Sequence, residues 1–85
     1  MRKRWVLKMY RVEFSQKALE QLEKLDKYTS MLIISWIRKN LEGCVNPYLH
    51  GKGEGGQWRY RIGDYRLLAE IQEAKIIIMI LSVGH

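Results

Sequence analysis

Arginines stand at positions 59, 61 and 66 in the run Gln57-Trp58-Arg59-Tyr60-Arg61-Ile62-Gly63-Asp64-Tyr65-Arg66-Leu67-Leu68. Two strand-like stretches flanking Gly63-Asp64 predict a β-hairpin with a two-residue turn. With that turn, Ile62 pairs with Tyr65 and Arg61 falls opposite Arg66. Side chains alternate with a period of two, so Arg59 shares the face of Arg61 and Arg66. Trp58, Tyr60 and Ile62 point the other way. Like charges directly opposite each other destabilise a sheet. A face that carries this cost is suited to holding an anion, and a chain of phosphates is the natural candidate. The bland alternative is a solvated face whose arginines pair with Glu54, Asp64 or Glu70.

Trp58 and Tyr60 alternate with Arg59 and Arg61, and interleaved aromatics can stack single-stranded bases. Parity puts them on the opposite face, so they are expected in the core. Tyr65 shares its face with Leu67, which also favours the core, and it is kept as a candidate RNA contact. Gly51-Lys52-Gly53-Glu54-Gly55-Gly56 resembles a phosphate cradle only superficially. It lacks the Gly-Lys-Ser/Thr signature and no helix follows it. It reads as a mobile substrate loop, with Lys52 as a candidate phosphate contact.

Other chemistry is sparse. His50, His85 and Cys44 are the only histidines and the only cysteine, and their spacing matches no zinc motif. No Ser-His-Asp or Cys-His arrangement is recognisable. No pair of carboxylates is placed for acid–base work, with Glu54 in a loop and Asp64 in a turn. Neither a metal nor a cofactor is expected, and no small-molecule ligand.

The chain has 85 residues, of which 47% are hydrophobic, which suits one small domain with one core. No apolar run reaches the roughly 18 to 20 residues that span a bilayer. The single cysteine excludes an internal disulfide framework and fits a reducing cytoplasm. The formal net charge is +6, and Arg2, Lys3, Arg4 and Lys8 supply four of those charges. Residues 1–8 therefore read as a basic extension and 9–85 as the domain. The extension is too short for a secretory signal and lacks its apolar region.

Met9 to Phe14 reads as a strand. Ser15 is a good helix N-cap, and Ala18, Leu19, Leu22 and Leu25 recur at helical spacing. Residues 26–30 look like a corner. A second helix follows with Leu32, Ile33, Trp36, Ile37 and Leu41 as its stripe, and Gly43 ends it. The loop 44–56 leads to strands 57–62, 65–72 and 75–83, with Glu73-Ala74 as a second tight turn. Ile76 to Leu81 has no polar alternation, which predicts a central strand covered on both faces. The expected fold class is α+β: an N-terminal strand, an αα-hairpin, then a three-stranded antiparallel meander, with the helices on one face of the sheet.

Met9-Tyr10-Arg11-Val12-Glu13-Phe14, the helical hairpin, Asn46-Pro47, His50-Gly51-Lys52, the Trp58–Arg66 run and Ser82-Val83-Gly84-His85 together resemble RelE-type toxins of the RelE/ParE toxin–antitoxin superfamily. The resemblance covers residues 9–85. It implies a cytoplasmic mRNA interferase that enters the ribosomal A site and cuts mRNA there. In that reaction the 2′-OH attacks the adjacent phosphate, and a cognate RelB-like antitoxin wraps and neutralises the toxin. By the same resemblance, Arg66 stabilises charge on the scissile phosphate. Arg59 and Arg61 match a basic pair on the neighbouring strand, and His85 lies at the C-terminal catalytic segment.

Arginine keeps its proton above about pH 12. Arg61 therefore suits orienting the 2′-OH rather than deprotonating it, which leaves His85 as the acid or base. In-register pairing of the last two strands sets Leu81 opposite Arg66, with His85 about 13 Å further along. The chain end must then curl back to reach the arginines. Similar sequences usually continue past the Gly-His segment with an arginine and a base-stacking tyrosine, and neither follows His85. Two alternatives therefore stand beside the nuclease: a ParE-like inhibitor of DNA gyrase on the same scaffold, or an inactive toxin that only binds its antitoxin. Trp5, Leu7 and Leu49 are expected to be exposed and to suit a wrapping peptide partner.

Overall fold

The computed structural model describes residues 8–85. Trp5, Leu7 and most of the basic extension lie outside the described residues. The elements are β1 (Arg11–Phe14), α1 (Gln16–Lys24), α2 (Lys27–Asn40), β2 (Gly51–Glu54), β3 (Gln57–Ile62), β4 (Tyr65–Gln72) and β5 (Ile77–Gly84). The strands form one sheet in the order β1-β5-β4-β3-β2. β1 runs parallel to β5, and the other pairs are antiparallel. The α+β architecture matches the expectation, with one strand more than the expected meander.

Capping chemistry sets the helix starts. Ser15 Oγ accepts from the Ala18 N–H at 3.0 Å. Asp26 accepts from the Thr29 N–H at 3.0 Å and from its hydroxyl at 2.6 Å, so the expected corner 26–30 is already the first turn of α2. Gly43 takes φ +78, the left-handed conformation that ends a helix cheaply. Ala18, Leu22, Ile33, Ile37 and Leu41 meet Tyr60, Ile62, Leu67, Ala69, Ile78, Ile80 and Val83 in a single buried core. Leu19, by contrast, is exposed. The apolar run in β5 is covered on both faces only in part. Ile77, Ile78 and Ile80 are buried, but Met79 and Leu81 are half-exposed.

The expected two-residue turn at Glu73-Ala74 is instead a four-residue turn, Glu73 to Ile76, with Ile76 at φ 58. A β-bulge beside Leu68 and Ala69 adds one more residue to β5. Together these shift the pairing by three positions, so Gly84, not Leu81, lies opposite Arg66. His85 consequently follows directly beside the arginine hairpin, and no curl of the chain end is needed.

β1 pairs with β5 only as far as Ile80. Beyond it, α1 satisfies the strand edge. Ser15 Oγ donates to the Leu81 carbonyl at 2.8 Å, and Gln21 Oε1 accepts from the Val83 N–H at 2.6 Å. Buried backbone groups need such partners. Ser15 thus caps α1 and closes the bulge at once. Ser15→Ala is expected to lower stability by about 1–2 kcal/mol, read as a lower urea midpoint at unchanged slope. An unmoved midpoint would show that neither hydrogen bond contributes.

Candidate functional site

The β3–β4 hairpin has the expected register. Ile62 pairs with Tyr65 and Arg61 with Arg66. Gly63 takes φ 58, as a hairpin turn of this kind requires. Tyr60 and Ile62 are buried among the helices, and Trp58 is half-buried. The arginines occupy the opposite face.

β2 adds a second cation pair. Lys52 lies directly opposite Arg59. The expected mobile loop is therefore in part a strand, and its glycines have a packing role. Trp58 lies across β2, and a Cβ at Gly51 would sit 2.5 Å from Trp58 Nε1 and 2.6 Å from the Arg59 carbonyl oxygen. At Gly53 it would sit 3.1 Å from the indole ring. Only at the tip do glycines serve conformation, with Gly55 and Gly56 at φ 57 and 83.

The preceding segment is tethered as well. The buried Tyr60 hydroxyl donates to the Pro47 carbonyl. The Tyr48 hydroxyl donates to Glu73 at 2.6 Å, and the Tyr48 N–H donates to Asn46 Oδ1 at 3.0 Å. That hydrogen bond to a carboxylate, helped by partial burial, pushes the Tyr48 phenol up to about 12. Tyr48 also packs edge-on against Trp58, with ring centroids 4.8 Å apart.

A groove of about 420 Å³ results, lined by Leu49, His50, Gly51, Lys52, Arg59, Arg61 and Arg66. Arg59 is held by Glu54 at 2.8 Å, so the pairing weighed as the bland alternative exists for this one arginine. Arg61 and Arg66 are exposed and make no ion pair among the described residues. A smaller groove of about 230 Å³ adjoins it, lined in part by Glu54, Arg59, Arg66, Gly84 and His85. Tyr65 is half-buried and meets the His85 ring edge-on at 5.1 Å. Four adjacent cations, three of them without an ion pair among the described residues, form a site for a polyanion. Burial pushes the Cys44 thiol up, which disfavours its reactive thiolate form.

Residues 12–85 match the family described as the ParE toxin of the type II toxin–antitoxin system, parDE. The chain belongs to this toxin family. Its fold is similar to the toxin–antitoxin complex RelBE2 from Mycobacterium tuberculosis, with a TM-score of 0.82 at 28% identity over 91% of this chain and 98% of that one. It is also similar to the intact RelBE toxin–antitoxin complex of E. coli, with a TM-score of 0.73 at 21% identity over 88% and 94%. The archaeal RelE–RelB complex from Pyrococcus horikoshii gives a TM-score of 0.69 at 25% identity over 89% and 93%. No curated protein matches the sequence significantly. The resemblance to the RelE/ParE superfamily is thereby established.

In this toxin Lys52, Arg59, Arg61 and Arg66 line one groove. His85 and Tyr65 stand together at its neighbour's end rather than in it. Sequence reasoning weighed His50 as a metal ligand and quoted it in the resemblance, but gave it no role in the groove. Its signal was position: two residues before Lys52, on a segment that had been read as mobile. Leu49 is 69% exposed, as expected. No helix among the described residues is long and apolar enough to cross a membrane.

Gly51→Ala forces a methyl group against the backbone carbonyl of Arg59, which cannot yield as a flexible side chain can. It is expected to cost about 1–3 kcal/mol, measured by denaturant unfolding, whereas Gly84→Ala, where nothing lies within 4 Å of an added Cβ, is the mild control. The Tyr48 tether also has a pH signature. Its folded pKa is raised, so its contribution is complete below the ordinary value of 10.0 and is lost as pH rises through about 12. Wild type is expected to lose melting temperature faster than Tyr48→Phe between those values. Parallel curves would remove the tether from the argument.

Proposed function

We propose that this toxin is a ribosome-dependent mRNA endoribonuclease that cleaves in the A site by 2′-OH transesterification. One observation carries the reading: the groove in which Arg61 and Arg66 face solvent without a counter-charge, beside Lys52 and Arg59. Phosphoryl transfer depends on positioning and on stabilising charge that develops on the phosphate oxygens. Arg66 and Arg59 clamp the scissile phosphate. Arg61 orients the 2′-OH, and Lys52 holds an adjoining phosphate. His85 gives a proton to the departing 5′-oxygen, and Tyr65 steadies its ring. The ribosome supplies the mRNA in an extended conformation and so places the action in the cytoplasm. A RelB-like antitoxin is the neutralising partner.

The family description favours a second reading, in which the toxin binds and inhibits DNA gyrase without cutting RNA. The two readings separate in one pair of assays. Primer extension on mRNA with programmed ribosomes is expected to show cuts in the A-site codon that are absent without ribosomes. Arg66→Ala is expected to lower that cleavage by at least about 100-fold while leaving the melting temperature unchanged, because the side chain is exposed. Retained cleavage by Arg66→Ala would sink the site assignment. Inhibited supercoiling without any RNA cuts would replace the nuclease by the gyrase reading. Neither activity, with retained antitoxin binding, would leave an inactive toxin.

A further inference from the structure

We infer that His50 is the general base of the proposed cleavage and works from the larger groove, while His85 borders the smaller one. The inference rests on the nuclease reading and deepens it. Cleavage by 2′-OH attack needs two proton transfers. The 2′-oxygen loses a proton as it bonds to phosphorus, and the 5′-oxygen gains one as its bond to phosphorus breaks. The attacking and leaving oxygens lie on opposite sides of the phosphorus, so one group cannot serve both at once. Arginine cannot serve as base at ordinary pH. Lysine, unless strongly perturbed, is also charged there.

The structure supplies a second imidazole. His50 lines the larger groove with Lys52, Arg59, Arg61 and Arg66. His85 lines the smaller one, and Arg59 and Arg66 border both. Arg59 and Arg66 therefore join a groove that holds His50 to one that holds His85. Arg61, which orients the 2′-OH, borders only the His50 groove. The attacking oxygen thus belongs on the His50 side and the leaving oxygen on the His85 side. The products are a 2′,3′-cyclic phosphate and a 5′-hydroxyl.

His50 is exposed to solvent but not adrift. Its ring meets Trp36 of α2 edge-on with centroids 6.1 Å apart, and Trp36 in turn meets the buried Tyr60 at 5.8 Å. The Pro47 and Tyr48 tethers hold the backbone just before it. The charged and titratable groups around it are Lys52 on β2, Arg59 and Arg61 on β3, Arg66 on β4 and Tyr48 in its own segment. Its contact on α2 is uncharged.

The test is the single-turnover rate of A-site cleavage between about pH 5 and 8, for wild type, His50→Ala and His85→Ala. Wild type is expected to give a bell-shaped profile. His50→Ala is expected to fall by about 10²–10⁴-fold and to lose the ascending limb, with imidazole in the buffer restoring part of the rate. His85→Ala is expected to lose the descending limb. Because His50 is exposed, an unchanged melting temperature should accompany the loss. A His50→Ala rate within about threefold of wild type, or one that keeps the ascending limb, would overturn the inference while the nuclease reading stands. A wild-type chain that cuts nothing would overturn both.

Discussion

The turn at Gly63-Asp64 is the constraint on which the rest of this molecule depends. A strand has only two faces, so a two-residue turn that fixes Ile62 against Tyr65 fixes every other pair in the hairpin. It sends Tyr60, Ile62 and Leu67 into the core, and Arg59, Arg61 and Arg66 to the other side. A slip by one residue would bury three guanidinium groups, at a cost no domain of this size could bear. The repulsion between Arg61 and Arg66 opposes this pairing. It persists because Tyr60, Ile62 and Leu67, almost fully removed from water, each contribute more than an exposed charge pair costs.

The second cation pair depends on the first face indirectly. Lys52 reaches Arg59 because β2 lies flat against β3, and β2 lies flat because Gly51 and Gly53 leave room for the Trp58 indole. The core residue Tyr60 holds Pro47 and contacts Trp36, which touches His50. Core packing on one face thereby positions the groove wall on the other. Glu54 then divides the cations, pairing with Arg59 while Arg61 and Arg66 make no ion pair among the described residues.

Local signals in the sequence were enough for the parts that local chemistry decides. The Gly63-Asp64 turn, the Ser15 cap, the Gly43 stop and the face of the arginines could all be read directly. Two of the misread parts depend on residues far apart in the chain, and one on an unusual local conformation. The glycines of β2 looked like a mobile loop, because nothing near them in sequence shows that an indole will lie across them. The Glu73–Ile76 turn was read two residues short, because Ile76 adopts a left-handed conformation that a β-branched residue rarely takes. The bulge in β5 was invisible because its partners, Ser15 at the cap of α1 and Gln21 within it, lie far away in the sequence. These last two errors both concerned where His85 stands, so its expected distance from the arginines was a problem of register and not of composition.

The two faces of the sheet carry different burdens. The helix-covered face holds nearly all the buried apolar surface and with it the stability. The groove face carries exposed cations whose replacement costs the fold little. Such a division lets one scaffold host either of the proposed functions, a nuclease or a binding inhibitor, since the groove can change without disturbing the core. The choice falls to groove chemistry: a binder needs complementary shape and charge, whereas a nuclease also needs groups that exchange protons on both sides of a clamped phosphate. In the proposed reading the second requirement falls to His50 and His85, which line the two grooves that Arg59 and Arg66 both border.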